Sequence, residues 1–256
     1  MKNFILTLIP LVLSGFCLQS SGETTPISVS ILSNDAKFIG SSMGGAQIVI
    51  RDSLTGAILA SGRTAGSTGD TKRIMTSPLP RDHVLHSEGS ARFDATLDLD
   101  RPTLVRIEAT GPMAQMQNAS TVTETWTLIP GKDYSQGNGL LLRMHGMVVD
   151  VLSPPAHFKT TGVEQIQVAA NVTKMCGCPI GEGTPWPIER YTVEAHVYKA
   201  GNGLVKTYTL PYTGDLSQFA GSIPMPGPGV FEIIVTAFDA KTKDSGADST
   251  TVILAD

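Results

Sequence analysis

The chain has 256 residues, a formal net charge of −4, 26 glycines, 16 prolines and 6% aromatic residues. This mildly acidic balance, without a basic block, argues against nucleic acid as a partner. Val, Ile and Thr recur in short alternating runs, and no long stretch repeats apolar residues at helical spacing. The predicted class is therefore all-β, as two consecutive β-sandwich domains of about seven strands each.

Lys2 precedes an apolar run from Phe4 to Leu13, and small and polar residues follow from Ser14 to Gly22. That order predicts a secretory signal peptide over residues 1–22. The run is too short for a spanning helix, which needs about 20 apolar residues. Leu13-Ser14-Gly15-Phe16-Cys17 resembles the lipobox of bacterial lipoproteins, which would make Cys17 a lipidation site. Phe16 stands where that box carries a small residue. The alternative is that Cys17 leaves with the leader. Either way the chain is expected to be exported, to the periplasm or the extracellular space. A membrane would be met only through the lipid on Cys17.

Residues 25–153 read as the first domain. Ile27, Val29 and Ile31 alternate with Ser28 and Ser30, as on a half-buried strand. Gln47 to Ile50 and Ala57 to Ala60 read as two strands around a turn bracketed by Asp52 and Gly56. The run Gly44-Gly45-Ala46-Gln47-Ile48-Val49-Ile50-Arg51-Asp52-Ser53-Leu54-Thr55-Gly56-Ala57-Ile58-Leu59-Ala60 resembles the opening of the prealbumin-like, carboxypeptidase-regulatory-like β-sandwich modules. The resemblance covers about 20 residues and implies a sandwich of seven or eight strands with no catalytic residues.

Arg63 to Lys72 is a polar loop, since its lysine does not follow the second glycine as a nucleotide-binding loop requires. Further strands are predicted around Ala91–Leu97, Leu104–Ala109 and Val122–Leu128, the last with Thr121, Thr123, Thr125 and Thr127 on its solvent face. His83 and His86 fall in a polar loop without a third ligand nearby. Gly139 to Leu152 reads as the last strand of this domain. Within it, Met144-His145-Gly146-Met147 offers thioether and imidazole groups that suit copper. The competing reading is a strand whose methionines pack in the core, with Gly146 marking a bulge.

Ser153-Pro154-Pro155-Ala156-His157 breaks the pattern and is the predicted domain boundary. Residues 154–256 then hold alternating runs at Ile166–Val172, Tyr191–Val197, Leu204–Leu210, Phe219–Ile223, Phe231–Ala237 and Thr250–Leu254. Gly229 to Asp239 resembles the penultimate strand of bacterial Ig-like and fibronectin-like modules. Phe231 stands where such modules carry Tyr, so the corner hydrogen bond of that hydroxyl is not available here.

Thr173-Lys174-Met175-Cys176-Gly177-Cys178-Pro179-Ile180 concentrates the soft-ligand chemistry. It opens a Gly- and Pro-rich loop to Pro187 that is expected at a sandwich end. Three readings stand side by side. Cys176 and Cys178 can close a local disulfide across Gly177. They can instead bind Cu(I) or Zn as thiolates, together with Met175 and with Met144, His145, Met147 or His157 near the joint. The third is a dithiol for redox exchange. No Gly-x-Ser-x-Gly, His-Glu-x-x-His or paired-carboxylate pattern is present. Asn118-Ala119-Ser120 and Asn171-Val172-Thr173 match the glycosylation acceptor pattern. The function expected from the sequence is a non-enzymatic structural or binding protein whose partner is a protein or another envelope component. Copper handling through the Met175–Cys178 stretch is the alternative, and thiol–disulfide exchange is a second one.

Overall fold

The computed structural model describes residues 22–76 and 78–256; Cys17 and the leader up to residue 21 lie outside them. The fold is all-β, with four sheets arranged around two principal hydrophobic cores.

In the first sheet β1 (Glu23–Ser33) lies between β4 (Phe93–Leu99), antiparallel, and β7 (Leu140–Met144), parallel. The sheet facing it runs β3 (Ile58–Arg63), β2 (Gln47–Asp52), β5 (Thr103–Gly111) and β6 (Ser120–Leu128), all antiparallel. Ile27, Val29 and Ile31 from one sheet meet Ile48, Ile50, Val105 and Ile107 from the other. Each such side chain stabilises the fold by about 1.5–3 kcal/mol when taken out of water. The β2–β3 turn forms as its sequence requires. The Asp52 carboxylate accepts from the backbone N–H of Leu54 and of Thr55, and Gly56 takes φ +75.

In the second pair, one sheet places β10 (Gln165–Lys174) between β13 (Gln218–Pro224) and β8 (Met147–Ser153). The other runs β12 (Gly203–Thr209), β11 (Tyr191–Lys199), β14 (Gly229–Asp239), β15 (Ser245–Ala255) and β9 (Phe158–Thr161). Val168, Ala170 and Val172 pack against Val193, Ala195, Ile233 and Val235 between them. Trp186 and Ile180 fill the same core.

Three expectations are corrected. The single strand over 139–152 is two strands, β7 in the first sandwich and β8 in the second. The chain crosses at His145-Gly146, where Gly146 takes φ +128 and a Cβ would lie 3.3 Å from Met175 Sδ. The crossing residue has to be small and left-handed, which a strand pattern alone does not reveal. Consequently Pro154-Pro155 does not part the two sandwiches but links β8 to β9 within the second pair of sheets. Thirdly, the stretch from Met175 to Pro187 does not hold its cysteines out to solvent: Met175, Cys176, Cys178, Ile180 and Trp186 are buried, while Pro179, Glu182, Gly183, Pro185 and Pro187 are exposed. The polar loop after Arg63 also ends in a short helix α1 (Thr71–Met75), capped by the Asp70 carboxylate on the Arg73 N–H.

Candidate functional site

The most concentrated chemistry in the fold lies where the two sandwiches meet, and the cysteine stretch builds one side of it. Lys174 is the last residue of β10, directly before the turn. The turn is closed by hydrogen bonds from Lys174 N–H to Cys178 O and from Gly177 N–H to Lys174 O. Cys176 and Cys178 form a disulfide across it, with sulfurs 2.10 Å apart. Gly177 sits at φ +72, where an added Cβ would strike the Met43 side chain of the first sandwich. The turn is therefore pressed against its neighbour, and only glycine fits there.

This geometry fixes Lys174 with its side chain wholly out of solvent. Its Nζ donates to Asp244 Oδ2 at 3.2 Å and lies 3.5 Å from Asp239 Oδ2. Both carboxylates come from the β14–β15 hairpin, and both have 0% exposed side chains. The hairpin is tied internally, because Asp239 accepts from the Lys241 N–H and Thr242 Oγ1 donates to Asp244. Arg190 reaches the same cluster, donating to Asp239 and, at 2.7 Å, to Asp35.

Asp35 belongs to the other sandwich. It stands in the tight turn that follows β1, and its backbone oxygen accepts from Trp186 Nε1 at 2.7 Å. Its neighbour Asn34 donates to the Asp244 carboxylate at 3.0 Å. From the crossing segment, His145 Nδ1 and the Gly146 N–H donate to Asp244 Oδ1 at 3.0 and 3.2 Å. Residues from 34 to 244 in the sequence thus converge on one buried ionic knot between the halves. Two further bonds clasp the joint from the side: Asn118, in the first half, donates to Ala247 O on β15 and accepts from the Val149 N–H on β8.

A buried charge is tolerated only when paired and fully hydrogen-bonded, and the titration behaviour follows that rule. Burial pushes the Asp239 carboxyl up. Hydrogen bonds from Arg190, the Lys241 N–H and Thr242 outweigh it and hold the group down at about 2. Burial also opposes ionisation of Asp244, yet Lys174 nearby and the donors Thr242 and Asn34 keep its pKa below the ordinary value. Burial disfavours the Arg190 cation, but Asp239 and Asp35 raise its pKa nonetheless. The shifts of Asp239, Asp244 and Arg190 all favour their charged forms.

The residues singled out for metal or redox chemistry are distributed differently. The disulfide leaves neither Cys176 nor Cys178 as a thiolate, and both pack into the second core. Met175 and Met144 pack into the first core, whereas Met147 packs into the second. His145 is spent on Asp244, and His157 sits exposed at φ +64 beside Thr251. Among the described residues no group of three or more His, Cys, Asp and Glu side chains is arranged to hold a metal ion. His86 is stacked on Phe38 and shares a hydrogen bond with Ser30; burial, and secondarily Arg92, lower its pKa. His83 bonds to the backbone of Arg73.

Sequence reasoning reached the cysteine turn but missed Lys174, Asp239, Asp244, Arg190, Asp35 and Asn34. One signal was legible: a lysine closing an otherwise apolar strand beside two cysteines. Its partners carried none, since each reads as an ordinary polar residue of a turn.

No protein-family model matches the chain, and no curated protein does. Among solved structures it is similar to fibronectin(III)-like modules of Clostridium thermocellum CbhA, with 11% identity over 82% of this chain and 78% of that one, TM-score 0.30. It is also similar to the chicken interferon gamma receptor alpha chain, with 13% identity over 93% and 98%, TM-score 0.32. A DUF3823 family protein from Bacteroides uniformis gives 10% identity over 91% and 100%, TM-score 0.31. The β-sandwich assignment itself stands on the strand pairing described above.

Proposed function

We propose that the chain is an exported, non-enzymatic structural and binding protein of the cell envelope or extracellular space, whose two sandwiches work as one rigid body. The observation that carries this reading is the ionic knot Asp35–Arg190–Asp239–Lys174–Asp244, which joins the first half to the second and whose Lys174, Asp239 and Asp244 side chains are wholly buried. Inter-domain contacts are by default modest, and relative motion is the usual consequence. Here the two cores exchange residues: Ala36 packs with the second, and Val148 and Met175 pack with the first. A body of this kind holds the loops at its two ends at a fixed separation, which suits a spacer or a platform for a protein partner.

Export is supported by two features of the chain. The leader has the order of a signal peptide, and a disulfide persists in oxidising compartments but not in the cytosol. The test is affinity capture by the mature protein from envelope and extracellular fractions, compared with a Lys174→Met/Asp244→Asn variant whose joint is loosened. Specific capture by the parent, weakened in the variant, supports the reading. A turnover activity that co-purifies with the chain through every step would contradict it.

A further inference from the structure

A second feature stands beside the knot and is independent of the proposed function. A cavity of about 280 Å³ opens between the end of α1, Leu79 and Leu85, and the turn after β1. Its walls are apolar where Leu32, Ile74, Met75 and Leu85 line it, and Asp35 and Arg143 are the charged residues among those that line it.

The two charges are not equivalent. Asp35 is engaged by Arg190 at 2.7 Å and by Lys241 at 3.8 Å. Counted with the rest of the knot, the carboxylates of Asp35, Asp239 and Asp244 are balanced by Lys174, Arg190 and Lys241, three against three. Arg143 makes no ion pair among the described residues. Its one side-chain hydrogen bond goes to Asn34 Oδ1 at 3.4 Å, and the residue is exposed. One positive charge is thus left over at the edge of an apolar cavity, on a chain whose net charge is −4.

Size narrows the occupant. At about 30 Å³ for each water in the liquid, the cavity has room for roughly nine waters. That is just below the ~300–1,000 Å³ typical of sites for drug-sized ligands. The space takes one apolar group of side-chain size, and because it opens to solvent the polar end of a ligand can lie outside it. A guanidinium is well matched to a planar carboxylate, which it can meet through two parallel N–H bonds.

We infer that this cavity binds a small carboxylate carrying a compact apolar tail, with the tail among Leu32, Ile74, Met75 and Leu85 and the carboxylate on Arg143. Such a group is found either in a free acid or in the C-terminal residue of a peptide ending in Leu or Phe. The chemistry is shared by both sources.

The experiment is a titration of the mature, disulfide-intact chain followed by methyl NMR at Met75 and Leu85. The probes are 3-phenylpropionate and N-acetyl-Gly-Phe, each paired with its carboxamide. Saturable shifts at Met75 with either acid are expected, and which acid is preferred identifies the source. The carboxamides and the Arg143→Gln variant should each bind about fivefold more weakly, the equivalent of about 1 kcal/mol for one partly exposed charge pair. Arg143 is a surface residue, so the variant should fold; its unchanged amide spectrum elsewhere checks this. No saturable shift at Met75 with either acid at millimolar concentration would overturn the proposal. So would equal binding of acid and amide, or an affinity that keeps climbing from hexanoate to dodecanoate.

Discussion

Lys174 Nζ lies 3.2 Å from Asp244 Oδ2, across 70 residues of sequence, with both side chains entirely buried. Removing Lys174 leaves the Asp244 carboxylate without its cation, and removing Asp244 leaves Lys174 with only the longer 3.5 Å contact to Asp239, at a cost of about 3–5 kcal/mol in each case. Lys174→Met and Asp244→Leu are each expected to destabilise the chain by that amount in urea unfolding. The double variant should cost less than the sum of the two, because no orphaned charge remains from this pair. Additive single effects would show that the two residues are not coupled.

The knot also sets the acid limit of stability. Asp239 has a folded-state pKa of about 2 against an ordinary 3.8. A depressed carboxylate contributes stability that is present above the unfolded value and is lost as pH falls through the folded one. The loss from Asp239, reinforced by Asp244, is therefore expected between about pH 4 and pH 2. His86 acts higher: its folded pKa lies below the ordinary 6.5, so the unfolded chain takes up its proton first. Stability should begin to fall as pH drops below about 6.5, and His86→Gln should flatten that upper limb alone. Unfolding free energies measured from pH 7 to pH 2 in the parent and this variant check both limbs.

The disulfide is expected to matter less than the lysine beside it. A ring closed between Cys176 and Cys178 removes little freedom from the unfolded chain, and the loop-entropy relation gives about 1–2 kcal/mol. Cys176→Ala/Cys178→Ala should fall in that range, well short of Lys174→Met, in the same urea assay. Because the bond occupies both sulfurs, the oxidised protein should carry no stoichiometric copper or zinc by elemental analysis. Stoichiometric metal in protein whose Cys176–Cys178 bond is confirmed by mass spectrometry would contradict this arrangement.

Asn118 acts as a peptide-like clasp, serving the Val149 N–H on one strand and Ala247 O on another. Asn118→Ala orphans both backbone groups and is expected to cost about 2 kcal/mol. Since the side-chain amide is committed to these bonds, the Asn118-Ala119-Ser120 acceptor pattern should remain unmodified when the chain is expressed in a glycosylating host. A glycan found on Asn118 in folded protein would show that the clasp does not form.

Much of the fold was legible because sandwich strands write their period into the sequence. Val193, Ala195 and Val197 alternate in the sequence and are buried in the structure between more exposed neighbours. On β1, by contrast, Ser28 and Ser30 are buried along with Ile27, Val29 and Ile31, so that strand is buried on both faces and not on one. The Asp52–Gly56 turn was legible for a similar reason, since its chemistry is local. What failed was long-range. Leu140 to Ser153 shows no change of pattern, although its two ends serve different cores, because Met144 and Met147 are equally apolar. Pro154-Pro155 marks a change of sheet, and a change of sheet inside one sandwich reads like a boundary between two. The site was half legible: cysteines at close spacing advertise themselves, whereas Asp35, Asp239 and Asp244 gain their meaning only when the strands bring them to Lys174.

The claim that the halves form one rigid body is tested most directly by their two tryptophans, one beside each core: Trp126 against the first and Trp186 within the second. Trp186→Phe and Trp126→Phe each leave a single reporter, whose fluorescence is followed through equilibrium unfolding together with far-UV circular dichroism of the same sample. A body locked through the buried knot should give one cooperative transition, with the Trp126 signal, the Trp186 signal and the circular dichroism coincident within each variant. A Trp126 transition that is complete while a large part of the dichroism persists at higher denaturant would show two independently folding sandwiches and would contradict the account.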